Sequence, residues 1–302
     1  MGLCRPIIVL GAERSGTSVC AEMVHAWGAY AGDPRELPPA DELNPRGRWE
    51  YLPLWDLLSE IGEFATGATW WAEDFPAKVA AKAADRQVAD RARALVARMA
   101  APARPWLWKD PALCHFLGFW QQFLREPVFV VMVRHPLDIA VSWNQFRVAS
   151  GLHEVSLECN LLRWQHMTLS VLRAIGPGPA TVFTEYEAVT GDPAAQARRL
   201  AAFLDRQCAT TSGDDTVARM AGVCMPGLRR NRGGQRQEEL MTAPQRSLYR
   251  FLRQQAEHFQ LPDTDDFPMP AGWREWVIGE ESGDANRAAA MKRRENPGSY
   301  GP

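Results

Sequence analysis

Short apolar runs alternate along this chain with longer stretches whose apolar residues recur every three or four positions. That alternation predicts strands followed by helices. Pro6-Ile7-Ile8-Val9-Leu10 is rich in β-branched residues and stops at Gly11, after which Val19, Cys20, Met23, Val24 and Trp27 fall on one helical face. Further strands are expected at Trp106-Leu107-Trp108, Pro127–Val133 and Ala180–Thr184. Pro127–Val133 has no polar member, so it is expected as a central parallel strand buried on both faces. Helical periodicity covers Leu52–Ile61, Ala77–Ala100, Leu113–Leu124, Ile139–Phe146, Val155–Ile175, Pro193 to Leu204 and Ala243–Phe259. Residues 29–53 show no period and are expected as a long loop, and Gly62–Pro76, with Trp70-Trp71, as a loop or lid.

The stretch between the first strand and the first helix carries the clearest chemistry. Gly11-Ala12-Glu13-Arg14-Ser15-Gly16-Thr17-Ser18 has the spacing of a phosphate loop, with Thr17 where a nucleotide triphosphatase carries Lys. A loop that opens a helix presents unpaired N–H groups and the positive end of the helix dipole to an anion. Glycines at both ends let the backbone come close to a phosphate. The expected fold is therefore α/β and three-layered: a central, mostly parallel sheet flanked by helices, like the P-loop nucleotide-binding folds. A single domain is expected over residues 1–278, with a polar, mobile tail over 279–302.

Composition narrows the possibilities. At 302 residues, 46% hydrophobic and 23% charged, the chain is long enough for one large domain. A net charge of −2 gives no reason to expect nucleic acid or an anionic membrane as partner. No apolar run approaches the roughly 20 residues of a membrane-spanning helix. The first ten residues lack a signal-peptide layout, and Pro6 stands where a myristoylation signal wants Ser or Thr. The six cysteines are scattered among apolar neighbours, as buried free thiols of a reducing cytoplasm would be.

Three more stretches offer candidates. Lys109-Asp110 follows the second strand, at the end where open parallel sheets bind ligands. A lysine at the start of a helix faces the wrong end of the dipole, which favours a functional role for it. His115 lies one turn into that helix, where a lone histidine is usually structural. The third strand ends in Arg134 rather than in the Mg²⁺-holding Asp of nucleotide triphosphatases. Arg134 is a fixed, fork-shaped cation suited to phosphate, and Ser142, two helical turns on, is placed to reach the same group. The sequence thus offers a second anion site and no metal site. Residues 227–234, with Arg229 and Arg230, form a basic, glycine-flanked loop placed to close over an anion. Glu36, Asp41, Glu42 and Glu50 lie in the long loop, with Trp49 and Tyr51 beside the last.

Taken together, the chain resembles the sulfotransferases that use 3′-phosphoadenosine 5′-phosphosulfate (PAPS). Gly11–Ser18 is similar to their 5′-phosphosulfate loop, so the resemblance implies donor contacts from Glu13, Arg14, Ser15, Gly16, Thr17 and Ser18. Val133-Arg134-His135-Pro136-Leu137-Asp138-Ile139-Ala140-Val141-Ser142 is similar to their 3′-phosphate motif, in which the Arg and Ser hold the phosphate. Trp108-Lys109-Asp110-Pro111 is similar to a Lys-Asp-Pro element of many members, and Asn44-Pro45-x-Gly47-x-x-Glu50 to a segment common in bacterial ones. Tyr186-Glu187 matches a Tyr-Glu element whose Tyr lies near the adenine. The likeness spans about residues 5 to 235.

The resemblance implies in-line transfer of a sulfuryl group from PAPS to an acceptor hydroxyl, leaving 3′-phosphoadenosine 5′-phosphate (PAP), with no metal. A sulfuryl group carries less charge than a terminal phosphate, so cations and N–H groups suffice, with Arg14 and Lys109 as candidates. The acceptor's proton needs a base. Some members place a His just after the Lys; here Asp110 stands there and the nearest His is His115. Others use a Glu from the loop after the first helix, a role that Glu36 or, by preference, Glu50 fits. The aromatic residues from Trp49 to Trp55 and Trp70-Trp71 suggest an apolar or sugar-like acceptor surface: a secondary-metabolism natural product, a saccharide or a lipid. Two alternatives stay open, a P-loop kinase of a small molecule and a non-catalytic nucleotide-binding protein.

Overall fold

A computed structural model of the chain describes residues 4–40, 46–66, 70–72, 75–224, 238–255 and 262–280. Four strands form one sheet in the order β2-β1-β3-β4: β1 Pro6–Leu10, β2 Trp106–Lys109, β3 Val128–Val133 and β4 Ala180–Glu185. Every strand pair in it is parallel, with Ile8 opposite both Trp108 and Phe129 and Val131 opposite Phe183. Parallel strands need crossovers, and helices supply them. In chain order these are α1 Thr17–Trp27, α2 Leu52–Thr66, α3 Phe75–Ala83, α4 Arg86–Ala100, α5 Leu113–Trp120, α6 Pro136–Ala149, α7 Leu157–Ile175, α8 Tyr186–Gly191, α9 Pro193–Cys208, α10 Asp214–Gly222, α11 Ala243–Gln254 and α12, residues 273–280.

Alternate residues of each strand go to opposite cores. Ile8, Leu10, Trp106, Trp108, Phe129, Val131 and Phe183 face one core with α2, α5 and α7. Ile7, Val9, Leu107, Val128, Val130 and Val182 face the other with α1 and α9. Both faces are covered, which is why the strands read as continuous apolar runs. The three-layer α/β expectation holds. From β1 the chain moves to β2 on one side, then crosses to β3 on the other. The reversal opens a crevice at the carboxyl ends of β1 and β3, where such sheets hold ligands.

The structure corrects several boundaries. The stretch Ala77–Ala100 is two helices, because Asp85 accepts from the N–H groups of Gln87 and Val88 and so starts α4 afresh. Both ends of the expected lid are helical: α2 runs on to Thr66 and α3 begins at Phe75. The helix at Leu113 ends at Trp120 and gives way to turns. The seventh helix starts at Leu157 rather than Val155, since the Ser156 hydroxyl caps it by accepting from the Cys159 N–H. Helices α8, α10 and α12 were not expected. The boundary drawn at residue 279 falls inside α12, whose Glu280 accepts hydrogen bonds from the Ser156 N–H and hydroxyl. Residues 281–302 lie outside the described residues. Four of the six cysteines are buried. Among the described residues no helix is long and apolar enough to cross a membrane.

Candidate active site

Each strand delivers a sequence candidate at its carboxyl end. After β1 the chain turns through Gly11 at φ +143°, where a Cβ would lie 2.8 Å from the Met132 carbonyl oxygen. It then passes through Gly16 at φ +97°, where a Cβ would lie 2.4 Å from Tyr186 Cδ2. Only glycine fits either place. Gly16 precedes α1 in a left-handed conformation, and no side chain caps the helix. The first-turn N–H groups of a helix have no partner within it, and Gly16, Thr17 and Ser18 line an open cleft of about 390 Å³.

Arg14 joins this loop to the next strand end. Its backbone lies at φ +67°, a conformation that costs a non-glycine residue about 1–2 kcal/mol. Its carbonyl accepts from Arg134 Nη1 at 2.8 Å, and its own Nε donates to Ser142 Oγ at 3.3 Å. The Arg134 guanidinium also lies 4.5 Å from the centre of the Tyr186 ring, and that of Arg14 lies 5.3 Å from the centre of Phe146. Loop, β3 end, α6 and β4 end are thus tied by two arginines. Burial, more than any charge, pushes the Tyr186 hydroxyl up, and Arg134 pulls it back.

Lys109, the last residue of β2, is 3% exposed, and its Nζ donates to Glu50 Oε1 at 2.6 Å. A buried ammonium requires such a partner. Next to it, burial first and the Glu50 charge second push the Asp110 carboxyl up to about 7. The remaining carboxylates of the cleft are paired as well: Glu22 with Arg46, and Glu13 with Arg163 at 3.5 Å. Arg163 reaches from α7, with Trp143 and Trp71 rings 4.2 and 5.3 Å from its guanidinium carbon.

Most of the sequence candidates converge. Glu13, Arg14, Gly16, Thr17 and Ser18 line the cleft together with Glu50, Lys109, Arg134, Ser142 and Tyr186. Ser15 is buried beneath the loop and does not line it. The Ser18 hydroxyl donates to the Arg48 carbonyl at 3.4 Å, so it also holds the 46–50 loop against α1.

Two candidates are placed elsewhere. Both oxygens of Glu36 accept from Arg98 Nη2 at 2.7 Å, and Glu36 is not part of the cleft lining. His115 is half-buried behind the wall, its ring 5.3 Å from those of Trp70 and Trp71 and stacked at 5.4 Å on His166. Burial holds its imidazole well below the usual histidine range, with the charges of His166 and Arg163 adding to that. Asp41, Glu42, Arg229 and Arg230 lie outside the described residues.

The sequence reading missed Phe146, Trp143, Arg48 and Arg163. Phe146 was recoverable, since it stands one helical turn beyond Ser142 on the same face. Arg163 carried no local signal, because its partner Glu13 lies far away along the sequence. Trp55, 43% exposed, and Trp70 complete the aromatic side of the mouth. Among the described residues no group of His, Cys, Asp and Glu is placed to hold a metal ion.

Three solved structures are similar to the chain. The sulfotransferase domain of the Synechococcus PCC 7002 olefin synthase aligns at 16% identity and a TM-score of 0.44, covering 94% of this chain and 96% of that one. The sulfotransferase domain from the curacin biosynthetic pathway gives the same identity and score, covering 94% and 99%. Sulfotransferase STF1 from Mycobacterium tuberculosis gives 14% and 0.44, covering 72% and 71%. No curated protein sequence matches. A sequence model of the sulfotransferase family matches residues 6–210, which takes in all four strands and the cleft they build; the chain belongs to the sulfotransferase family.

Proposed function

We propose that this protein transfers the sulfuryl group of PAPS to an acceptor hydroxyl and releases PAP. One observation carries the reading: two anion-binding elements meet in a single cleft. The amide-rich start of α1 and the pair Arg134 and Ser142 line it together, clasped through Arg14. A nucleotide with a 3′-phosphate and a 5′-phosphosulfate has two anionic ends to match.

The residues fit that donor. Gly11 and Gly16 leave a cradle that a Cβ would fill, which lets the loop amides approach a 5′ anion. Arg134 and Ser142 suit the 3′-phosphate, and the Tyr186 ring, already under a guanidinium, suits the adenine. The strand end that supplies a Mg²⁺-holding Asp in nucleotide triphosphatases supplies Arg134 here, so we assign charge neutralisation to side-chain cations. In the transfer the acceptor oxygen forms a bond to sulfur as the bond from sulfur to the bridging oxygen breaks. The acceptor proton goes to Glu50, and the charge growing on the leaving phosphate is met by Lys109 and Arg14. Glu50 and Lys109 lie 2.6 Å apart, so one movement of Lys109 from carboxylate to leaving group frees the base as it is needed. Trp55, Trp70, Trp143 and Phe146 give the acceptor an apolar or ring-stacking surface.

A thermal-shift comparison tests the donor. PAP is expected to raise the melting temperature and ATP with Mg²⁺ to leave it nearly unchanged. Stabilisation by ATP with Mg²⁺ and none by PAP would replace this reading with a kinase. Stabilisation by PAP without release of PAP from PAPS across a panel of phenols, sugars and lipids would replace it with a binding protein.

A further inference from the structure

The carboxylates of the cleft are paired with cations, with one exception. Among the described residues Asp110 makes no ion pair, although it is 1% exposed and lines the cleft. Its Oδ1 accepts from the Ala112 N–H at 2.8 Å, and its Oδ2 is buried with no hydrogen-bond partner. A buried carboxylate with a bare oxygen is expensive, and taking up a proton relieves the cost. The groups that act on it are known from each side. Glu50 on the loop and Glu13 after β1 oppose its charge, while Lys109 on β2 and the Ala112 N–H at the start of α5 favour it.

We infer that Asp110 works in this cleft as an uncharged acid, a positioning residue that leaves Lys109 committed to Glu50 and to the anion arriving beside it. The inference rests on the donor reading above. An ionised Asp110 would give Lys109 two carboxylates to satisfy and leave the inner cleft with excess negative charge where a polyanionic nucleotide must lie. Binding of the nucleotide therefore favours the protonated form. The sign follows from linkage: affinity is greatest where Asp110 is already protonated and falls as pH rises through the free carboxyl's titration near 7.

Calorimetric titration of the full chain with PAP, from about pH 7 to about pH 9, tests this. That window lies above the second ionisation of a phosphate monoester, near 6, which works in the opposite direction. Wild-type affinity is expected to weaken about tenfold or more across the window, at up to tenfold per pH unit. Asp110→Asn keeps the acceptor for the Ala112 N–H and cannot ionise, so its affinity should change less than about twofold over the same window. A second arm needs only the wild type: titrations near pH 8 in buffers of different ionisation enthalpy should show net proton uptake with each PAP bound. Parallel pH profiles for the two proteins, or no proton uptake, would overturn the role of Asp110 and leave the donor reading standing. No PAP binding at any pH would overturn the donor reading, and this inference with it.

Discussion

The two walls of the cleft are built by different means. One wall is strand ends: the backbone positions of the loop after β1, Lys109, Arg134 and Tyr186 are set by the register of four parallel strands. The other wall is residues 46–55 with Trp70. It is held by separate long-range contacts, Arg46 to Glu22, the Arg48 carbonyl to Ser18, and the Trp49 ring 4.8 Å from His25. Strand ends suit recognition of a fixed group, such as the two phosphates of a nucleotide. Contacts made one at a time can be exchanged without disturbing a core, which suits an acceptor that differs between members of a family. Lys109 and Glu50 form the seam, one from each wall.

Breaking that seam should have the largest effect. Lys109→Ala removes the cation expected to meet charge on the leaving group and leaves the nucleotide's outer contacts intact. Turnover, followed as PAP release, should fall by about 10²–10³-fold, while PAP affinity changes less than about tenfold. Equal losses in turnover and affinity would make Lys109 a binding residue of the strand-end wall alone.

Glycines compare the rigidity of the two walls. Gly16→Val places a side chain against Tyr186 at a backbone angle that L-residues avoid, and should cost about 2–4 kcal/mol of stability and abolish PAP binding. Gly47→Ala meets nothing nearer than the Pro38 carbonyl at 3.9 Å, although its φ is +82°. It should cost only about 1 kcal/mol, the strain itself. Denaturant midpoints for the two variants measure the contrast, and similar losses would mean that the loop wall is as tightly fixed as the strand ends. On the rigid wall, Arg134→Ala should weaken PAP by about 2–3 kcal/mol in calorimetry, because it strips a charged partner from a phosphate and unties the Arg14 carbonyl.

The same division explains what could be read from the chain. β3 was legible because a strand covered on both faces needs no polar alternation, and Val128–Val133 has none. Gly11, Gly16 and Arg134 were legible because a tight turn at a strand end leaves a mark in a few consecutive residues. Glu50 and Glu36 could not be separated on the same terms, since the choice depends on which carboxylate reaches Lys109 on a distant strand. Arg163 and its pair with Glu13 were invisible for that reason too. The break at Asp85 was hidden because Ala and Arg favour helix on both sides, and only the side-chain cap shows where one helix starts again. In α12, Trp276 is 44% exposed while Trp273 and Val277 are buried, so an aromatic residue on the outer side blurs the expected stripe.

The smallest effect separates those two loop carboxylates. Glu36 is held by Arg98, whose side chain is 52% exposed, and exposed ion pairs contribute little to stability. Glu36→Gln should leave the melting temperature and PAP release nearly where they were. Glu50→Gln keeps the size of the side chain and removes its charge, so Lys109 loses its counter-ion and the acceptor loses its base. Turnover should fall there by about 10²–10³-fold, as for Lys109→Ala, since Glu50 is the other half of the seam. Measured side by side, the pair tests whether proximity to a strand-end lysine, rather than position in the loop, selects the functional carboxylate. A Glu36→Gln variant as impaired as Glu50→Gln would show that the loop wall rearranges on binding and that the Arg98 pair opens in the working enzyme.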